Sequence, residues 1–233
     1  MPTSRLRFPG VFVTGTDTGI GKTRVSIHLM EHLKAKGFRV LGMKPVASGC
    51  VEAEDGQLRN HDALLLQRHA SFEAPYSLVN PYAFQLPASP HIAARKAAAT
   101  IELNIIRECY RSLRADSDFV VVEGVGGWEV PLASDLRLPE LARSLNLPVV
   151  LVVGLRLGCL NHAFLSSRAI QESGCELLGW VGNLIDPNFL HLEENLESLG
   201  LAIPASRLGL LPFDPEPADA SRIHPFDLRQ IIF

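Results

Sequence analysis

Residues 13–23 read Val-Thr-Gly-Thr-Asp-Thr-Gly-Ile-Gly-Lys-Thr, and this stretch decides the fold. The apolar run Val11 to Thr14 before it reads as a strand, and Lys22 to Lys36 behind it reads as a helix. The loop between them carries Gly15, Gly19 and Gly21. Glycines let backbone N–H groups approach and face a phosphate. The helix N-terminus adds partial positive charge at the same point. Thr18, Gly19, Ile20 and Gly21 would wrap the phosphates, Lys22 would reach the outer ones, and the Thr23 hydroxyl would ligate magnesium. The commoner phosphate-loop pattern has glycine where Thr16 stands, one residue after Gly15. A bare glycine-rich turn is the competing reading. Strand before, helix after and Gly-Lys-Thr together favour nucleotide binding.

The same alternation continues along the chain. Arg39 to Met43, Phe119 to Glu123, Val149 to Val153, Gly179 to Asn183 and Leu208 to Leu211 read as further strands. They are apolar throughout, as strands covered on both faces are. Helical patterns run over Asp62 to His69, His91 to Lys96, Ile101 to Leu113, Leu138 to Leu145, Asn161 to Glu172 and Leu190 to Leu199. Such βαβ order predicts an α/β fold, a mostly parallel doubly wound sheet with a phosphate-binding loop, in one domain over residues 1–233. The polar stretch Ser48 to Asn60 reads as a mobile loop, and Tyr76 to Pro90 as a structured excursion over the sheet.

Composition narrows the function classes. The 233 residues are 47% hydrophobic and 20% charged, with a net charge of -3, so no basic excess points to nucleic acid. Four scattered cysteines form no CxxC pair, which argues against a zinc site or a disulfide framework. The longest apolar stretch, Leu147 to Leu155, is far short of the ~20 residues that span a bilayer. The expectation is a cytoplasmic protein with no membrane partner.

A phosphate loop needs an acid at another strand end to complete a metal shell. Glu123 closes the run Phe119 to Glu123, and Gly124 and Gly126 behind it leave room for a ligand. Its position at a strand's carboxyl end favours a ligand role over a capping or solvated acid. Lys44, at the end of another strand, is a candidate for stabilising phosphoryl or carboxylate charge. It reads equally well as a solvated loop lysine. Asp62 alone reads as an N-cap or first-turn acid that stabilises its helix dipole.

Several segments together resemble the dethiobiotin synthases: residues 13–23 (VTGTDTGIGKT), 44–49 (KPVASG), 59–68 (RNHDALLLQR), 80–82 with 89–92 (NPY and SPHI), 122–132 (VEGVGGWEVPL), 151–163 (LVVGLRLGCLNHA) and 179–183 (GWVGN). The resemblance implies a homodimeric ATP- and magnesium-dependent cyclo-ligase of biotin biosynthesis. Such an enzyme closes the ureido ring of dethiobiotin from diaminopelargonic acid and carbon dioxide, releasing ADP and phosphate. It implies Thr23, Asp62 and Glu123 as magnesium ligands, Lys22 and Lys44 as catalytic cations, and Thr18 and Ser48 as substrate contacts. It makes Asn183 the adenine reader, with Pro212, Phe213, Asp214 and Glu216 on the adenine's other side. Gly158, Cys159, Leu160 and Asn161 would bind the substrate's tail carboxylate across the dimer interface. Some members carry an acid where this chain has Gly19.

Two other classes remain in view. A switch-type ATPase that controls a partner would carry a second lysine near the start of the loop, where this chain has Asp17. An amidoligase acting on another carboxylate is disfavoured by KPVASG and VEGVGGW. Cys159 lacks an evident base for nucleophilic chemistry. His28 and His32, four residues apart, read as a helix face sooner than as a metal pair.

Overall fold

The computed structural model describes residues 5–215 and 224–232. β1 (Gly10–Gly15) leads into α1 (Lys22–Ala35) and β2 (Val40–Met43). There follow β3 (Val46–Ser48), β4 (Val51–Glu52), β5 (Leu58–Arg59), α2 (His61–Arg68), α3 (Tyr76–Val79), β6 (Tyr82–Phe84), α4 (Pro90–Lys96) and α5 (Leu103–Ala115). The chain then alternates through β7 (Phe119–Glu123), α6 (Leu138–Leu145), β8 (Val149–Leu155), α7 (Cys159–Glu172), β9 (Leu177–Leu184), α8 (Leu192–Ala202) and β10 (Ser206–Leu211).

Six of these strands form one parallel sheet in the order β10-β9-β8-β1-β7-β2. All six strands expected from the pattern are in it. Their side chains divide by parity, as the pleat requires. Phe12, Val120, Val122, Leu151 and Val153 face a core shared with α5, α6, α7 and α8. Val11, Val13, Val121, Val150 and Val152 face a second core with α1. Each such side chain, removed from water, contributes roughly 1.5–3 kcal/mol of transfer free energy. That is why the strands carry no polar face.

Register decides what emerges at the carboxyl edge. Val13 lies level with Glu123, and Met43 with Val122. The loop after β1, Glu123 and Lys44 therefore leave the sheet side by side. From β1 the chain runs to β2, returns through β7 and then crosses to β8. The strand order reverses at β1, and ligands of open α/β sheets bind at such a point.

The stretch Ser48 to Asn60 departs from its reading as a mobile loop. β4 and β5 pair antiparallel, Val51 with Arg59 and Glu52 with Leu58. Arg59 ties the turn through Asp55 at 2.7 Å. Strands of two residues are too short to show a period, so the pattern could not reveal them. The excursion over Tyr76 to Pro90 is structured as expected. Its β6 pairs with β3, and Asn80 Nδ2 donates to the Lys44 carbonyl at 2.6 Å. Residues 224–232 lie along α1, where the Phe226 ring stacks on His32 at 5.3 Å. The His28 and His32 Nδ1 atoms each sit within 2.8 Å of a carbonyl one turn earlier. Among the described residues no three His, Cys, Asp or Glu side chains are grouped to hold a metal ion. No described helix is long and apolar enough to cross a membrane.

Candidate active site

The phosphate loop spans Thr16 to Gly21, between β1 and α1. Gly21 precedes the helix with φ 87°, and a Cβ there would stand 2.2 Å from Asn183 Nδ2. Both facts require glycine. No side chain caps α1 and no acid lies in its first turn, so nothing of its own neutralises the helix terminus.

Lys22 follows, 7% exposed, with Nζ donating to the Asp17 carbonyl at 2.8 Å. Burial, and then the neighbouring Lys44 ammonium, pull its pKa down to about 8. Thr23 Oγ1 donates to Glu123 Oε1 at 2.9 Å. Lys44 Nζ stands 2.6 Å from the same oxygen, 3.1 Å from Asp62 Oδ2 and 3.2 Å from the Gly124 carbonyl, which engages its three hydrogens. Burial works against the Lys44 charge, but Glu123 and Asp62 outweigh it and hold its pKa above the ordinary value. Asp62 is desolvated too, and Lys44 keeps its pKa below the usual range. Glu123 is fully buried, and its Oε2 has no hydrogen-bond partner.

These groups line a cavity of about 330 Å³, together with Thr18, Gly19, Ser48 and Gly126. A cavity of similar size, about 370 Å³, lies around Arg143, Pro148 and Glu176 at the other end of the strands, and no lysine lines it. The sequence leaves Lys44 undecided and reads Asp62 as a helix acid. Asn60 is the residue that caps α2, accepting from the Ala63 N–H at 3.2 Å. Asp62, in the first turn, is thereby aimed at Lys44.

Other expected site residues fall elsewhere. Asn183, 3% exposed, donates to the Ile20 carbonyl at 2.8 Å and accepts from Arg24 at 2.9 Å. The Pro212 carbonyl also accepts from Arg24, at 2.8 Å, and Asp214 lies 3.6 Å from the same guanidinium. Phe213 is 39% exposed, and Glu216 lies outside the described residues. Gly158, Cys159, Leu160 and Asn161, at the start of α7, do not line the cavity of their own chain. Burial raises the Cys159 thiol pKa, which leaves it a poor nucleophile. Arg24 carries no signal in the sequence, where it is one more charge on an amphipathic helix. Asp17 turns outward to Arg156 at 2.8 Å.

A parallel sheet with a glycine-rich loop at its switch point, two lysines and two acids defines a nucleotide-binding protein of the phosphate-loop NTPase class. Comparisons agree at the level of fold. MinD from Aquifex aeolicus superimposes with a TM-score of 0.56 at 14% identity, over 89% of this chain and 83% of its own. A ParA family ATPase from Chlorobium tepidum does so with 0.52 at 13%, over 88% and 84%. Residues 9–221 match the family described as AAA domain. The ATP-dependent dethiobiotin synthetase BioD of Xylella fastidiosa is 50% identical over 92% of this chain and 96% of its own length. The protein of that name from Xanthomonas oryzae is 44% identical over 94% and 98%. The chain belongs to the ATP-dependent dethiobiotin synthetases.

Proposed function

We propose that the chain is an ATP-dependent ligase of biotin synthesis that closes the ureido ring of dethiobiotin from diaminopelargonic acid and carbon dioxide. The observation that carries this reading is Lys44, held between Glu123 and Asp62 at the mouth of the phosphate loop. One substrate amine adds to carbon dioxide and loses a proton, giving a carbamate. A carbamate oxygen attacks the γ-phosphorus of ATP and ADP leaves. The second amine attacks the carbamoyl carbon of the mixed anhydride. Phosphate leaves with the amine's proton, and the ring is closed.

Each charged species in that sequence needs a cation. Lys22 serves the outer phosphates, as phosphate-loop lysines do. Lys44 faces the point where carbamate and γ-phosphoryl meet, two anions that repel one another without it. Thr18 and Ser48, on the cavity wall, contact the diamine. Asn183 meets the adenine, with Pro212 to Asp214 on its other side. Thr23, Asp62 and Glu123 offer hard oxygen donors, and the unpartnered Glu123 Oε2 suits a cation, so this set would hold magnesium. The ion, when bound, would supply charge neutralisation to the ATP phosphates.

Phosphate release from Mg·ATP, with and without the diamine and bicarbonate, tests the whole reading. Release that requires both, with dethiobiotin as product, is expected. Release indifferent to the diamine overturns it and favours a switch-type ATPase.

A homodimer is part of the same reading. Leu157, just before the start of α7 where the partner's substrate tail would be bound, is 91% exposed, and Leu165, midway along the same helix, 58%. Leu157→Asp with Leu165→Asp is expected to convert dimer to monomer in sedimentation and to raise the KM for the diamine. A dimer unaffected by both changes places the interface elsewhere.

A further inference from the structure

Lys44 is held by its backbone as well as by its ammonium. β2 is the edge strand of the six-stranded sheet, and its ladder to β7 ends at Met43. Past that point the end of α3 takes over. The Lys44 N–H donates to the Val79 carbonyl at 2.8 Å, and the Lys44 carbonyl accepts from Asn80 Nδ2 at 2.6 Å. Asn80 is 3% exposed and does not line the cavity. Its Nδ2 also meets the Tyr82 carbonyl at 3.3 Å, and its Oδ1 accepts from the Tyr76 hydroxyl at 3.0 Å. The Tyr76 oxygen accepts in turn from the Asn60 N–H at 2.7 Å. Asn60 caps α2, and Asp62 stands two residues further on. The Asp62 carboxylate returns to the Lys44 ammonium at 3.1 Å. A circuit of contacts thus leaves Lys44 by its carbonyl and comes back to it by its ammonium.

The direction of every bond in that circuit is fixed. Two carbonyls can only accept, so they hold the Asn80 amide with its NH2 towards Lys44 and Tyr82. The Asn80 oxygen can only accept, so the Tyr76 hydrogen points to it while the Tyr76 oxygen takes the Asn60 N–H. Burial pushes the Tyr76 pKa up, so the hydroxyl keeps that hydrogen at neutral pH. The Arg59 guanidinium lies over the Tyr76 ring, 4.5 Å from its centre, and steadies it. A buried polar network whose members are all satisfied is rigid. Here it makes rigid the gap between the strand end that carries Lys44 and the helix start that carries Asp62. The Lys44 ammonium sits on a flexible four-carbon stem. Its place therefore depends on a fixed backbone at one end and on its carboxylate partners at the other.

We propose that Asn80 and Tyr76 are positioning residues, which set Lys44 and Asp62 against each other for phosphoryl transfer to the carbamate. The proposal rests on the reading of Lys44 as the cation between carbamate and γ-phosphoryl. Neither residue touches the reacting groups, and both act through the backbone of Lys44 and the cap of α2. Displacing a positioned group by about 1 Å can cost on the order of 10²-fold in rate.

The test uses the full-length enzyme with magnesium, diamine and bicarbonate saturating, and reads release of labelled phosphate from ATP per folded molecule. Tyr76→Phe keeps the aromatic ring beneath Arg59 and removes only the hydroxyl. Asn80→Asp keeps the shape and sets a carboxylate oxygen against the carbonyls of Lys44 and Tyr82. Each is expected to lower kcat by about 10- to 100-fold and to leave the KM for ATP within about threefold, because the phosphate loop is untouched. Added to Lys44→Ala, Tyr76→Phe is expected to lower turnover no further, while the fall in Tm it causes is the same with and without the Lys44 side chain. A purely structural role would lower turnover by the same factor in both backgrounds. That result overturns the proposal, as does a normal kcat in folded Tyr76→Phe. Where Asn80→Asp does not fold, Tyr76→Phe decides alone. If Lys44→Ala itself keeps near-normal turnover, the reading of Lys44 falls and this one with it. If Lys44→Ala is slow while Tyr76→Phe is normal, only the role of the circuit falls.

Discussion

Lys44→Ala is expected to lower turnover by at least ~10³-fold, more than the loss of one ordinary transition-state donor costs, because this ammonium serves two anions at once. Sequence reasoning expects such a variant to lose ring closure with its fold intact. The burial of the cluster adds a second consequence. Glu123 is fully buried and Lys44 is the cation paired with it at 2.6 Å. Removing one partner of a buried pair costs about 3–5 kcal/mol. For a chain of this length that is a fall in Tm on the order of 10 °C. Lys22 would recover some charge, since Lys44 is one of the groups that pull its pKa down. Mg·ATP is expected to restore part of the lost Tm, because a divalent ion supplies positive charge to the same carboxylates. Two measurements decide: turnover of the folded fraction, and thermal melting with and without Mg·ATP. Near-normal turnover removes Lys44 from the mechanism. Turnover that falls only as far as the folded fraction falls makes Lys44 a structural cation.

The second large effect belongs to Glu123. Glu123→Gln keeps the volume and leaves an amide oxygen to accept from Thr23 and Lys44, so packing is retained. It removes one negative charge from a site where solvent cannot replace it. Turnover should fall by about 10²–10³-fold. The magnesium concentration for half-maximal rate should rise with it, because one hard anionic donor of the set is gone. Activity titrated against magnesium at saturating ATP provides the check. A lower rate with an unchanged magnesium profile would place the ion on other residues and leave Glu123 as the anchor of Lys44 alone.

The phosphate loop was legible because its chemistry is local. Glycines, lysine and threonine within eleven residues form the cradle by backbone conformation and helix start alone. The six main strands were legible for a related reason. A parallel strand buried on both faces must be apolar throughout, and burial leaves that mark residue by residue. The hairpin of β4 and β5 left no such mark, since its residues are partly or largely exposed.

The catalytic cluster lay at the limit. Glu123 could be singled out by its place at a strand end. Lys44 and Asp62, 18 residues apart, could not be joined by spacing, and the resemblance to a family had to connect them. Arg24 was invisible for a plainer reason. A charged residue on an amphipathic helix reads as solvated until something is known to cover it.

By itself, then, the sequence determined the sheet class, the phosphate loop and the strand ends from which function would come. These follow from local conformational preference and from the demand that apolar faces be buried. Only the tertiary structure decided that Lys44 stands between Asp62 and Glu123, and that Arg24 holds Asn183 against the loop. Those contacts depend on strand order and register, which bring together groups as far as 159 residues apart in the chain, and no periodicity along the chain encodes them.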